Sequence, residues 1–199
     1  VATLIGHNDV RKVVMGRANR DATSAEQQQM ENIVEKAMKD GAVGLSTGLI
    51  YIPGTYSKTP EIVGLAKVTA KYFGVYATHM RDEADSVTQA IEEALTIGRE
   101  AKIPVEISHF KLSGQQNWGR SKETVPMIEA ARQEGIEVTV DQYPYTASST
   151  SISTLIPDEI LADGQDSIKA RLERPAIKKK VINEMLRKLK KRKLKHFSY

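Results

Sequence analysis

The sequence predicts an α/β protein with parallel strands: a partial (β/α)8 TIM-type barrel of about five strands, followed by a helical C-terminal segment. Three observations carry this reading. Short β-branched runs alternate with longer stretches of helical periodicity. The last four of these runs start at positions 43, 75, 105 and 138, separations of 32, 30 and 33 residues, which is one βα unit each time. Eight units of about 31 residues need roughly 250 residues, so a chain of 199 holds part of a barrel. A doubly wound sheet uses the same alternation, but no strand here is followed by a Gly-rich turn of the dinucleotide-binding form.

The strands are expected at Ala2 to Ile5, Val43 to Ser46, Val75 to Thr78, Val105 to Ser108 and Val138 to Val140. After the first, Ser24 reads as an N-cap with Gln27 at the capping-box position, opening a helix that ends at Gly41. Apolar stripes mark the later helices: Ile62, Leu65, Ala66 and Thr69, then Val87, Ile91, Ala94 and Leu95, then Met127, Ile128 and Ala131. Gly74 and Gly135 close two of them, and Pro104 forbids helix where a strand should begin. From Pro157 onward only helical pattern remains, with Ile168 to Leu172 and then Ile177, Val181, Met185 and Leu189 as one stripe. The chain therefore divides into a barrel part over 1–157 and a basic helical segment over 158–199, read as an insertion or lid of the same protein.

Composition narrows the chemistry. There is no cysteine, which excludes disulfides, thiolate metal ligands and a thiol nucleophile within this chain. No apolar run approaches the roughly 18 residues of a membrane span, and no charged-then-apolar leader opens the chain, so no membrane partner is expected and the reading is cytoplasmic. The net charge of +4 conceals a division: Lys169 to Tyr199 carries 13 Lys/Arg against Glu173 and Glu184, and that local +11 leaves the preceding residues at about −7. A solvated helix face accounts for such a run better than a nucleic-acid arm does. The start at Val1 without Met and the stop just past a helix read as an internal piece of a longer chain.

Two of the four histidines hold telling positions. His79 follows Val75-Tyr76-Ala77-Thr78 and His109 follows Val105-Glu106-Ile107-Ser108, one βα unit apart. In a parallel barrel all strand carboxyl ends meet at one face, with neighbouring strands about 4.8 Å apart. Two imidazoles at equivalent strand ends can then reach one ion, at about 2.0–2.1 Å from each nitrogen. Either alone reads as an ordinary strand-end histidine bonded to backbone; the pair, sharing one register, points to metal. Polar residues gather around them: His79-Met80-Arg81-Asp82-Glu83, Lys111 with the loop Ser113 to Arg120, and Asp141-Gln142-Tyr143-Pro144-Tyr145 leading to Ser148, Ser149 and Thr150. Long polar loops of this kind belong to the functional face of a barrel. Asp141 has the position of a third metal ligand, although orienting a neighbouring side chain is the commoner task for such a carboxylate.

At this point the strings themselves become informative. GLSTGLIYIPG (44–54), THMRDEAD (78–85), EISHFKLSGQQNWGRS (106–121) and DQYPYTASST (141–150), with LIGHNDVRKVVMG (4–16), closely resemble segments of the N-acyl-D-amino-acid deacylases of the amidohydrolase superfamily. They cover most of residues 1–160 in order, and only the combination is specific.

The resemblance implies a zinc-dependent hydrolase of the amide in an N-acylated D-amino acid, a small-molecule substrate, on a (β/α)8 barrel. It matches the family's zinc-binding histidines to His79 and His109, and its substrate-carboxylate positions to Lys111, Tyr143 and Ser149, with Arg81 near enough to assist. A cationic Lys with two hydroxyl donors is also what an anionic carboxylate favours. The family's His-x-His pair, the residue completing its zinc site and its general-base Asp have no counterpart in this sequence. Two ligands imply weak metal binding and no catalysis by this chain alone, with the remainder of a parent chain needed to complete the barrel and self-association as a further expectation. The competing readings are an amidohydrolase of a cyclic amide or imide, and a non-catalytic binding domain using its basic C-terminal helix, against which stands the lack of interleaved aromatics.

Overall fold

The computed structural model describes residues 1–191. Five strands, β1 (Ile5–Gly6), β2 (Gly44–Gly48), β3 (Val75–His79), β4 (Val105–Ile107) and β5 (Val138–Val140), pair in the order β1-β2-β3-β4-β5, and every pair is parallel. A parallel sheet whose spatial order equals its sequence order is an arc of a (β/α)8 barrel, since a doubly wound sheet reverses its order at a switch point. The crossovers are α1 (His7–Met15) and α2 (Ser24–Lys39) together, then α3 (Thr59–Ala70), α4 (Val87–Ala101) and α5 (Ser121–Gln133). Beyond β5 follow α6 (Asp158–Leu161), α7 (Gln165–Leu172) and α8 (Pro175–Lys191). No helix among the described residues is long and apolar enough to cross a membrane.

The register explains which face carries chemistry. Leu45, Tyr76, Val105 and Val138 lie in one row across the sheet and are all buried, together with the inward stripes of α3 and α4. The next row, Ser46, Ala77, Glu106 and Thr139, points to the opposite face, where Ser46, Ala77 and Glu106 are partly covered and Thr139 is exposed. His79 stands two residues beyond Ala77 and so shares that face. Helix and sheet approach closely where side chains permit: a Cβ on Gly98 of α4 would sit 2.4 Å from Val105 Cγ2.

Three expectations shift in detail. The first strand is shorter than Ala2 to Ile5 and holds only Ile5–Gly6, although Thr3 O still accepts Val43 N at 2.9 Å. Helix α2 is capped one residue early, by Thr23, whose side chain accepts the Glu26 N–H while Glu26 accepts the Thr23 N–H. Glu26 wins over Gln27 because Arg20 also grips its carboxylate, at 2.6 and 2.7 Å, and these bonds hold its pKa down to about 2. In the basic segment Val181 is buried, whereas Ile168, Leu172, Ile177, Met185 and Leu189 are half-covered and Ile182 and Leu186 are exposed. The part of that segment from 192 to 199 lies outside the described residues.

Candidate metal centre

His79 ends β3, and His109 stands two residues past β4, its sheet neighbour. Their rings meet edge to face with centroids 4.4 Å apart. The His79 ring also meets Tyr51, from the turn after β2, at 4.9 Å. His109 reaches this place through a left-handed backbone, φ 44°, a strain of about 1–3 kcal/mol for a residue with a side chain. Asp141 compensates: its carboxylate accepts the His109 main-chain N–H, and its own carbonyl accepts Phe110 N at 2.8 Å. Asp141 thus orients His109.

Glu83 completes the group. One carboxylate oxygen lies 2.7 Å from His109 Nδ1 and the other 2.5 Å from Lys111 Nζ. Its main chain is pinned where Ser113 N donates to Glu83 O at 2.7 Å, and Asp82 steadies the loop by accepting Ala84 N and Ser86 N at 2.7 and 3.0 Å. One ligand atom each from His79, Glu83 and His109 lies within 4.8 Å of the others. His79 Nε2 is sealed from solvent and has no hydrogen-bond partner. An orphaned buried nitrogen beside a second imidazole and a carboxylate fits a divalent cation of the zinc type. Burial lowers the His79 pKa, with the Glu83 charge opposing and His109 and Lys111 adding to the depression, so the ring favours the neutral form that ligates metal. On the same face the Glu106 carboxyl is raised, first by burial and then by the charge of Asp141, with the bond from Ser108 pulling the other way.

The four candidates for substrate binding separate. Lys111 is brought to the histidines, with Nζ 3.0 Å from both His109 O and His109 Nδ1. The Tyr143 ring lies 5.4 Å from the same ammonium and stacks on Tyr145. Ser149 is exposed in the loop after β5, and its neighbour Thr150 meets the Tyr51 hydroxyl at 3.0 Å, tying this loop to the turn against His79. Arg81 is engaged elsewhere: its guanidinium donates twice to Glu93 at 2.9 Å, and to Thr55 O and Ser57 O at 3.0 Å.

The chain is similar to known proteins. The chain is 43% identical over 167 residues to a D-aminoacylase from Alcaligenes xylosoxydans xylosoxydans, 84% of this chain and 34% of the relative. It is 38% identical to an N-acyl-D-glutamate deacylase of the same organism, over 88% of this chain and 35% of the relative. The chain belongs to the N-acyl-D-amino-acid deacylase family. It spans about a third of the length of the curated deacylases it matches. No family model matches. Among solved deacylases, a D-aminoacylase that defines a subset of amidohydrolases superposes with a TM-score of 0.71 at 45% identity, over 74% of this chain and 31% of that one. The N-acyl-D-glutamate deacylase of Bordetella bronchiseptica, complexed with zinc and a phosphonate mimic of the tetrahedral intermediate, gives 0.70 at 44% identity, over 73% and 31%.

Two neighbours of the histidines, Glu83 and Tyr51, are not singled out by sequence reasoning. Nothing in THMRDEAD separates Glu83 from Asp82 and Asp85, which take a capping role and a bond to Asn117 at 3.1 Å respectively. Tyr51 lies 28 positions before His79 and meets it only because β2 and β3 are adjacent.

Proposed function

We propose that this chain is part of a zinc-dependent amidohydrolase that cleaves the amide of an N-acyl-D-amino acid into a D-amino acid and a carboxylic acid. The observation that carries the reading is the meeting of His79, His109 and Lys111 at the carboxyl ends of adjacent parallel strands. His79 and His109 hold the metal, which when bound supplies Lewis acidity at the scissile carbonyl. Lys111 pairs with the substrate carboxylate, with the Tyr143 hydroxyl and Ser149 as further donors. Arg81, given its bonds to Glu93 and the 55–57 turn, is assigned to holding that turn rather than to the substrate. Segment 158–199 serves as an insertion or lid. In support, Asp158 accepts bonds from Thr55 and Tyr56 at 2.9 and 2.7 Å, and Lys191 pairs with Asp85 beside the metal group. The general base lies outside this chain, which alone is inactive.

The test is made in a protein carrying the whole barrel around this sequence, assayed on N-acetyl-D-amino acids. His79→Ala or His109→Ala should remove zinc and turnover together. Lys111→Ala should mainly raise KM, by about one to two orders of magnitude for a lost charge-assisted bond of about 1.5–3 kcal/mol. Retention of zinc and normal turnover after both histidine substitutions would contradict the reading.

A further inference from the structure

We infer that helix α8 docks on an anionic lipid surface, laying Ile182, Leu186 and Leu189 into the interface with Lys178 on one side and Lys179 and Lys190 on the other. The inference is independent of the deacylase reading. A helix that lies in the interface needs no spanning segment. The expectation of no membrane partner came from the absence of such a segment, and so concerns crossing alone.

Pro175–Lys191 carries seven Lys/Arg against one Glu. At about 3.6 residues per turn, Ile177, Val181, Met185, Leu189, Ile182 and Leu186 share one half of the helix. One edge of that half is covered by the rest of the chain, with Val181 buried and Ile177 and Met185 half-covered. The other edge faces solvent: Ile182 is 46% and Leu186 50% exposed, one turn apart, with Leu189 half-covered beside them. The cations divide in the same way. Lys180 pairs with Glu159, Arg187 with Glu184 and Lys191 with Asp85, and these three project from the polar side, away from the strip. Lys178, Lys179 and Lys190 are exposed, form no ion pair among the described residues, and border the strip. Unpaired cations flanking exposed aliphatic side chains match a surface whose negative charge overlies hydrocarbon, which is an anionic bilayer. Nucleic acid offers the charge without the hydrocarbon, and α8 has no aromatic residue on which a base could stack. The charge of the whole chain orients the approach: residues 169–199 carry +11 and the preceding ones about −7, so a negative plane attracts the α8 end first.

The test is cosedimentation of the full chain with vesicles of phosphatidylcholine alone, or of phosphatidylcholine with about 30% phosphatidylserine, at low and at physiological salt. Each variant is first shown by far-ultraviolet circular dichroism to keep its helix content. The chain should bind the anionic vesicles only, and less well as salt rises. Ile182→Gln with Leu186→Gln should weaken that binding by about tenfold or more. Lys178→Gln, Lys179→Gln and Lys190→Gln together should weaken it by about a hundredfold, at about fivefold for each lysine near an anionic surface. Lys67→Gln, Lys71→Gln and Lys102→Gln, which remove as many exposed cations from the barrel part, should change it by less than about twofold, since the attraction falls off within a Debye length. Equal binding to both kinds of vesicle, binding to neither, or anionic binding indifferent to Ile182 and Leu186 overturns the inference. So does an oligonucleotide that the chain binds more tightly than the anionic vesicles, or self-association in solution that Ile182→Gln with Leu186→Gln abolishes, because nucleic acid or a second copy is then the occupant of this face.

Discussion

At the scale of single residues, the chain shows how neighbours of one chemical type acquire different work. Asp82, Glu83 and Asp85 lie within four positions, yet one caps a turn, one faces two cationic or ligating groups and one ties the loop to Asn117. A similar division separates His7 from His79. His7 is fully buried, but its Nε2 meets Glu61 at 2.8 Å, and the other Glu61 oxygen receives the buried Arg11 guanidinium, which also donates to Arg20 O at 2.6 Å. This network fastens α1 to α3 far from solvent. Glu61→Ala should cost about 3–5 kcal/mol, the usual result of leaving a buried charge without its partner, measurable as a lowered urea midpoint. Burial pushes the Glu61 carboxyl up, but the bonds from His7 and Arg11 outweigh it and leave the pKa below the ordinary value. The folded pKa being the lower one, this stabilisation is complete above the unfolded carboxylate value of about 4.3 and is lost as pH falls through the folded value. The stability gap between the unaltered chain and Glu61→Ala should therefore be constant near neutrality and shrink in acid; a gap that widens in acid would refute the account.

At the scale of elements, periodicity was a sound guide to which segments form and a poor one to where they stop. The four later strands and the helices between them fall where the alternation of apolar runs puts them, because burial of one stripe per helix is a local property of the chain. Ends are decided by competition among nearby groups. Ser24 and Gln27 satisfy the pattern of a capping box, but Thr23 and Glu26 form it, since Arg20 reaches back to the same carboxylate. Thr23→Ala should accordingly destabilise by about 1 kcal/mol, whereas Ser24→Ala should change little; equal losses at the two positions would refute the assignment. His109 marks a second end that pattern reading misses, because its left-handed backbone depends on Asp141 from the next strand.

At the scale of the whole molecule, the described chain is an open arc. β1 and β5 each have one strand neighbour, and Val125, Val140, Trp118 and Tyr145 remain exposed near the β5 end. Unpaired parallel edges with apolar residues invite further strands, either from a longer chain or from a second copy. The isolated chain should self-associate as its concentration rises in light scattering, and Val140→Lys should weaken this; a monomer at every concentration would refute it. The sequence by itself determined the alternation of strands and helices, the barrel class, the family and the two histidines, because each of these is written in local periodicity or in short strings. Only the tertiary structure decided that Glu83 joins those histidines, that Asp141 orients His109 and that Arg81 serves the 55–57 turn. Those outcomes depend on distances between groups on different strands and loops, and such distances are set by register and packing across the sheet rather than by the order of residues along it.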